Sequence, residues 1–301
     1  MTLHLVPRSL QYLECVAKLG SIQAASRELG ISASAVHRQI IILEEMLGEA
    51  LFNRDKKGMT LTYSGQLILD MSRNWRLDSA KLQTLIQAHR GVETGQVRIA
   101  AMDSMVNGVV LELVTQVSKA HPKVTLEIEI LSPKEAVSGL LNGDFDIAIV
   151  ANPGPEDNLK FHWSREFILG CIATPEHPIA QKNKVSIEAI INHSVVFQSE
   201  KLAIRQLLEA HHGWVFDKIE HAVSVNSIQL MKLLVASGNY IAVTSQLDAA
   251  PELEAQTLTF IPISDDDTFN QTIALVSNAQ MPVSTICHKV LEITKTILEK
   301  Q

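Results

Sequence analysis

Apolar residues at Leu10, Leu13, Val16, Ala17 and Leu19 fit one face of a helix over 9–19, and Gly20 follows where a helix C-terminus favours it. Ser21 can cap a second helix with Ile22, Ala25 and Leu29 inward and Gly30 at its end. A third helix starts after Ser32, and Val36, Ile40, Leu43 and Leu47 fall on one buried stripe. Next come two short extended pieces, around Leu51-Phe52 and Met59-Thr60-Leu61, flanking Asp-Lys-Lys-Gly. That pattern predicts a small hairpin with a basic tip. From Thr62 to about His89 a long helix is predicted, with Ile68, Met71, Trp75, Leu82 and Leu85 at alternating spacings of three and four and Asp78 in the one polar slot. A stripe that long without a partner nearby in sequence predicts helix pairing between subunits.

Past Gly91 the pattern changes to alternating strand and helix. GQVRIAAM reads as a strand, 104–121 as a helix, VTLEIEIL as a strand, 132–141 as a helix and FDIAIVAN as a strand. A second set begins at EFILGCIAT and runs through VSIEAIIN, SVVFQS, a helix over 201–212, HAVSV, a helix over 227–236 and YIAVTSQ. QTIALVS and a helix over 283–300 close the chain. Repeated βα units predict an α/β class with parallel sheets covered by helices, arranged as two subdomains.

Charge sharpens this division. The whole chain carries −7, but residues 1–90 hold 11 Lys or Arg against 8 Asp or Glu, while residues 91–301 hold 15 against 25. A mildly basic start joined to an acidic body has the sign expected of a nucleic-acid-touching head. Cys15, Cys171 and Cys287 are odd in number, far apart and set among apolar neighbours. They read as core thiols in a reducing compartment, not a disulfide framework. The chain shows neither a secretory leader pattern nor an apolar run of about 18 residues, so no membrane partner and a cytoplasmic location are expected.

Candidate chemistry first appears in SIQAASRELGISASAVHRQI, 21–40. Two helices joined by a turn of about four residues, with small Ala25 at their contact, describe a helix-turn-helix. On a wheel of 100° per residue, Ser34 and Arg38 point away from the Val36 stripe and His37 flanks them. A major groove about 12 Å wide admits such a helix, where Arg and His donate to guanine and Ser reaches bases or phosphates. Ser32, Ala33, Ser34, His37 and Arg38 are therefore candidate DNA contacts, and Arg54, Lys56 and Lys57 at the hairpin tip can reach phosphates.

The segment LGISASAVHRQIIILEEMLGEALFNRDKKGMTLTYSGQ resembles the winged helix-turn-helix of LysR-type transcriptional regulators, and PKVTLEIEI, GDFDIAIV, PEHPIA and SGNYIAV are similar to that family's effector-binding region. The resemblance implies a winged helix-turn-helix over 1–62, a linker and dimerisation helix over 63–91, and an effector-binding domain over 92–301. Within that domain it implies two doubly wound α/β subdomains resembling periplasmic binding proteins, about 92–164 with 266–301 and about 165–265. It also implies double-stranded DNA, a small-molecule effector and a second copy of the chain, as dimer or tetramer, as partners, with RNA polymerase a further candidate. Departures from the family pattern are Ala33, Ser34 and His37 in place of the usual Gln, Pro and Ser, the apolar Ile41 and Ile42, Ser26 for Ala, and Tyr240 for Gly.

In parallel sheets, ligands collect at loops beyond the carboxyl ends of strands. The candidates there are Ser104, Met105, Ser132, Asn152, Gln198, Ser199, Asn226 and Thr244. Predicted helix starts at Ser104 and Ser132 suit a carboxylate, whereas Asp103 and Glu200 oppose one, so ligand charge stays open. His211, His212 and His221 lack metal-ligand spacing, and no phosphate loop or nucleophile motif is present, so no metal, cofactor or catalytic residue is expected. The alternative is a small-molecule binding protein or enzyme on the same scaffold with a merely structural helical head.

Overall fold

The computed structural model describes residues 7–55, 58–89, 95–154, 157–200, 202–218, 222–264 and 270–300. The chain forms two compact units, Met1–His89 and Arg90–Gln301.

In the first unit α1 (Arg8–Leu19), α2 (Ile22–Leu29) and α3 (Ala33–Leu47) are followed by β1 (Phe52–Asp55), β2 (Gly58–Leu61) and α4 (Tyr63–His89). Gly20 ends α1 in the left-handed region, φ 65°, and Ser21 and Ser32 cap α2 and α3 through the N–H groups of Ala24 and Ala35. Leu13, Val16, Ala25, Val36, Ile40, Leu51, Phe52 and Leu69 close one core. Each large side chain buried there contributes about 1.5–3 kcal/mol. Two residues of the predicted stripes are exposed: Leu19 and Leu47 are each the last residue of their helix, where burial stops.

The second unit holds two five-stranded sheets. The first runs in the order β4-β3-β5-β12-β6, formed by β3 (Gly95–Ala101), β4 (Val124–Ile130), β5 (Ile147–Ala151), β6 (Leu159–Phe167) and β12 (Gln271–Asn278). The second runs in the order β11-β7-β10-β8-β9, formed by β7 (Leu169–Ala173), β8 (Val195–Gln198), β9 (Ala222–Val225), β10 (Ile241–Ser245) and β11 (Thr259–Pro262). The chain passes to the second sheet between β6 and β7 and returns between β11 and β12. Parallel pairing holds for β3 with β4 and β5, and for β8 with β9 and β10. β12 runs antiparallel to β5 and β6, and β7 antiparallel to β10 and β11, so both sheets are mixed where repeated βα units predict parallel ones.

Helices α5 (Leu111–Ala120) and α12 (Thr285–Glu299) cover one face of the first sheet and α6 (Pro133–Leu141) the other. On the second sheet α7 (Ile187–Ile190), α8 (Ala203–His212) and α9 (Trp214–Lys218) lie on one face, and α10 (Ile228–Ala236) and α11 (Ala250–Glu254) on the other. Every residue of β5, β7, β8 and β10 is buried, which is why these strands read as mainly apolar runs, with polar Gln198, Thr244 and Ser245 only at the carboxyl ends of β8 and β10. The predicted helix over 104–121 begins instead with a 3-10 turn, Asp103–Met105, and a π-helical turn, Val106–Val110. Gly108 and three valines over 106–110 weaken the ordinary α-helical ladder there.

Candidate functional site

The amino-terminal site is the start of α3. Ser32 Oγ accepts the Ala35 N–H at 3.2 Å and lies 3.1 Å from Ser34 Oγ. Ser32, Ser34 and Arg38 are exposed, Ala33 and His37 are half-buried, and Val36 and Ile40 are wholly buried. Ala35 is also exposed. It is absent from the residues singled out in the sequence, although it lies about 60° from Arg38 on the same wheel. The wing is held from two sides. Glu44 Oε1 accepts the N–H groups of Leu51 at 2.9 Å and Phe52 at 3.4 Å, and Met59 N–H donates to Gly20 O at 2.9 Å. Arg54 pairs across the hairpin with Met59. Lys56, Lys57 and His221 lie outside the described residues, as do the side chains of Arg54 and Leu85.

Helix α4 is tied to α1 by Glu14, which accepts from Ser72 Oγ at 2.6 Å and pairs with Arg76 at 3.1 Å. Ile68, predicted on the outer stripe, packs against the head's own core. Leu67, Met71, Trp75, Leu82 and Ile86 are exposed and form the outer stripe instead. Leu67 and Ile86 extend the predicted pattern by one position at each end.

In the second unit a cavity of about 180 Å³ opens between the two sheets' loops. Ser104, Ser132, Gln198, Ser199 and Asn226 line it, so five of the eight predicted effector residues come together. The other three do not line it. Met105 is packed in the core of the first sheet. Asn152, at φ 46°, joins β5 to β12 by accepting the Thr272 N–H at 2.9 Å and donating to Thr272 O at 2.7 Å. Thr244 is buried and donates to Asp248 Oδ2 at 2.9 Å. Asp248 and Gln271 line the cavity and were not anticipated. Asp248 lies just past β10, where alternation carries no signal, and Gln271 reads only as the first residue of a strand.

Asp103 spans the cleft. Its Oδ2 accepts from Ser227 Oγ at 3.0 Å and from the N–H groups of Ile228 and Gln229, so a carboxylate following the first sheet caps α10 beside the second. Gln229 Nε2 donates to Asp103 O at 3.1 Å, and Asn107 donates to Gln229 Oε1. The α6 start is closed by its own capping box, in which Ser132 N–H donates to Glu135 Oε2 at 3.1 Å. The starts of α6 and α10 therefore each already hold a carboxylate, whereas α8, whose start at Leu202 and Ala203 lines the cavity, has no side-chain cap. Burial raises Asp248 above the ordinary carboxylate range, against the hydroxyls of Thr244, Ser104 and Ser245 and the charge of Lys232.

Cys171 and Cys287 are buried, as expected, whereas Cys15 is half-buried. Burial pushes the Cys171 thiol up to about 12 and raises Cys287 as well, which suppresses the reactive thiolate. No group of described His, Cys, Asp and Glu residues could hold a metal ion, and no described helix is long and apolar enough to cross a membrane.

Two family profiles divide the chain much as its compact units do. "Bacterial regulatory helix-turn-helix protein, lysR family" matches residues 7–66, and "LysR substrate binding domain" matches residues 90–297. The RuBisCO operon transcriptional regulator of Allochromatium vinosum is 26% identical over 261 residues, 87% of this chain and 86% of that protein. Among solved structures, a full-length OxyR from Pseudomonas aeruginosa aligns over 99% of this chain and 96% of its own, with TM-score 0.62 and 18% identity. Full-length CbnR complexed with its target DNA aligns over 96% of this chain and 99% of its own, with TM-score 0.58 and 17% identity. At these identities the structures speak for the fold, while the profiles cover both units and describe regulators, not enzymes. The chain belongs to the LysR family: it is a DNA-binding transcriptional regulator whose helix-turn-helix unit is joined to an effector-binding domain.

Proposed function

We propose that α3 is the reading helix, that Ser32, Ala33, Ser34, Ala35, His37 and Arg38 meet the duplex, and that Arg54, Lys56 and Lys57 hold its phosphates. The observation that carries this reading is the bare outer face of the first turns of α3 above the fully buried Val36 and Ile40. Small Ala35 and Ser34 let the helix backbone approach base edges, and an exposed alanine methyl suits a thymine methyl. Arg38→Ala is expected to cost about 1–3 kcal/mol of specific binding, roughly 5- to 150-fold. Fluorescence anisotropy on the operator and on random duplex measures it. Both should weaken steeply with salt, and an Arg38→Ala variant that binds its operator like the parent would remove α3 as the reader.

Two copies pair through the exposed α4 stripe, which supports a homodimer or a tetramer built from dimers and an operator of two half-sites. Trp75 is 49% exposed at the middle of that stripe. Trp75→Glu is expected to halve the mass seen by light scattering, and an unchanged mass would rule this helix out as the pairing surface. The regulator works in the cytoplasm, with RNA polymerase as its protein partner at the promoter.

A small-molecule effector enters the cleft lined by Ser104, Ser132, Gln198, Ser199 and Asn226. Asp103 bridges the two sheets' loops beside it. Occupation of the cleft biases two arrangements of the sheets and so the setting of the heads, a population shift without chemistry.

A further inference from the structure

One helix start at the cleft is left open. Helix α8 spans ten residues, and Leu202 at its cap position offers no side-chain acceptor to the first N–H groups. Leu202 and Ala203 line the cavity. The first turn of α8 contains no acid, and Arg205 in that turn is paired with Glu209 at 2.7 Å. The partial positive charge of this helix start is therefore available to whatever enters the cleft.

A second feature of the cleft is independent of the helix. Three lining residues are almost completely buried, and each keeps a polar atom without a hydrogen-bond partner among the described residues: Gln198 Nε2, Asp248 Oδ1 and Gln271 Oε1. Buried polar groups are normally paired, so unpaired ones gathered at one cavity mark a place where a ligand completes the set. Gln198 ends β8, just before the loop that leads into α8, and its free atom is a donor. Gln271 belongs to the other sheet, at the first residue of β12, and its amide offers donor or acceptor by a half-turn. Neither acid of the lining stands against an anion. Asp103 is taken up by the start of α10. Asp248 is buried, which favours its neutral carboxyl, and a neutral carboxyl donates as well as accepts.

Resting on the reading that the cleft is the effector site, we propose that the effector is a small organic acid whose oxyanion head, a carboxylate or a phosphate, sits at the start of α8 and takes the Gln198 amide as a donor. A hydroxyl or carbonyl on the rest of the molecule pairs with Gln271. One molecule then ties β8 and α8 of the second sheet to β12 of the first, which gives its occupancy a grip on how the two are arranged. The cavity, about 180 Å³, has the volume of about six liquid water molecules and suits a compact acid.

Thermal shift on the full chain, at millimolar concentration and constant ionic strength, tests this with lactate and lactamide, mandelate and mandelamide, inorganic phosphate, and benzamidine. The carboxylates or phosphate are expected to raise Tm, and whichever does so identifies the head group. The two amides and benzamidine are expected to leave Tm unchanged. In Gln198→Leu, which keeps the side chain's size and removes its donor, the affinity for the best anion is expected to fall about tenfold while circular dichroism stays that of the parent. If that variant does not fold, the nearly isosteric Gln198→Glu carries the same expectation of loss. An anion that stabilises these variants as much as the parent binds elsewhere and would remove the α8 subsite. Stabilisation by the amides or benzamidine equal to or above that of the anions would overturn the ligand class and leave the cleft as the effector site. Silence of all six compounds would overturn the cleft as a small-molecule site, and the class with it.

Discussion

Gly65→Ala is expected to destabilise the DNA-binding head by about 3 kcal/mol, the upper end of the usual cost of overpacking, and to lose operator binding with it. At an exposed helical position the same change would be worth about 1 kcal/mol in the opposite direction, because alanine is the better helix former. The sign is therefore the test. A Cβ at position 65 would stand 2.1 Å from Leu51 O and 2.9 Å from a Leu61 methyl. The carbonyl cannot step aside cheaply: it accepts the Thr62 N–H at 3.0 Å, Leu51 N–H is held by Glu44 at 2.9 Å, and the Leu51 side chain is fully buried. Gly65 N–H in turn donates to Thr62 Oγ1, which donates to Ala50 O. A displaced α4 therefore breaks the join between the β1–β2 hairpin, α3 and α4 together. Urea unfolding of the parent and variant measures the difference, and a Gly65→Ala head as stable as the parent would show that α4 slides freely over the wing.

The head is legible in sequence because local rules agree there. Serine caps, glycine ends and a 3.6-residue period all point to the same three helices, and the tertiary contacts reinforce them. The outer face of α3 followed from the wheel, and only Ala35 escaped, since an alanine gives no chemical signal. The effector unit is less legible. Its central strands carry apolar runs that announce themselves, but β6 is an edge strand with most of its residues outside the core, and β11 is a four-residue edge strand ending in proline. Both lack the alternation on which strand recognition depends.

The cleft residues divide by the same logic. Those at the first position after a strand, such as Ser199, or at a cap, such as Ser132, follow from topology. Gln271 is brought in by long-range pairing, since β12 lies between β5 and β6, and Asp248 sits in the turn just past β10, where no period marks it. Asp103 shows why a residue type is not a role. In sequence it is an acid opposing an anion; in the structure its carboxylate already serves the start of α10.

Glu252→Ala is expected to cost about 3–5 kcal/mol of the effector unit's stability, the penalty for leaving a buried charge without its partner. The Lys232 side chain is 3% exposed and its Nζ lies 2.8 Å from both Glu252 carboxylate oxygens, so the ammonium has surrendered most of its water to this one acid. With alanine at 252 the remaining bond is to Asp248 O, a neutral acceptor. The double variant Lys232→Met with Glu252→Leu removes both charges and both desolvation penalties, and is expected to recover most of the loss. Urea denaturation of the parent, the two single variants and the double variant closes the cycle. A Glu252→Ala cost below about 1 kcal/mol would place the pair with exposed ion pairs, worth little individually. A double variant no better than its worse single would mean that Lys232 is needed for its bond to Asp248 O, and that the α10 lysine fixes the loop carrying Asp248 to the cleft.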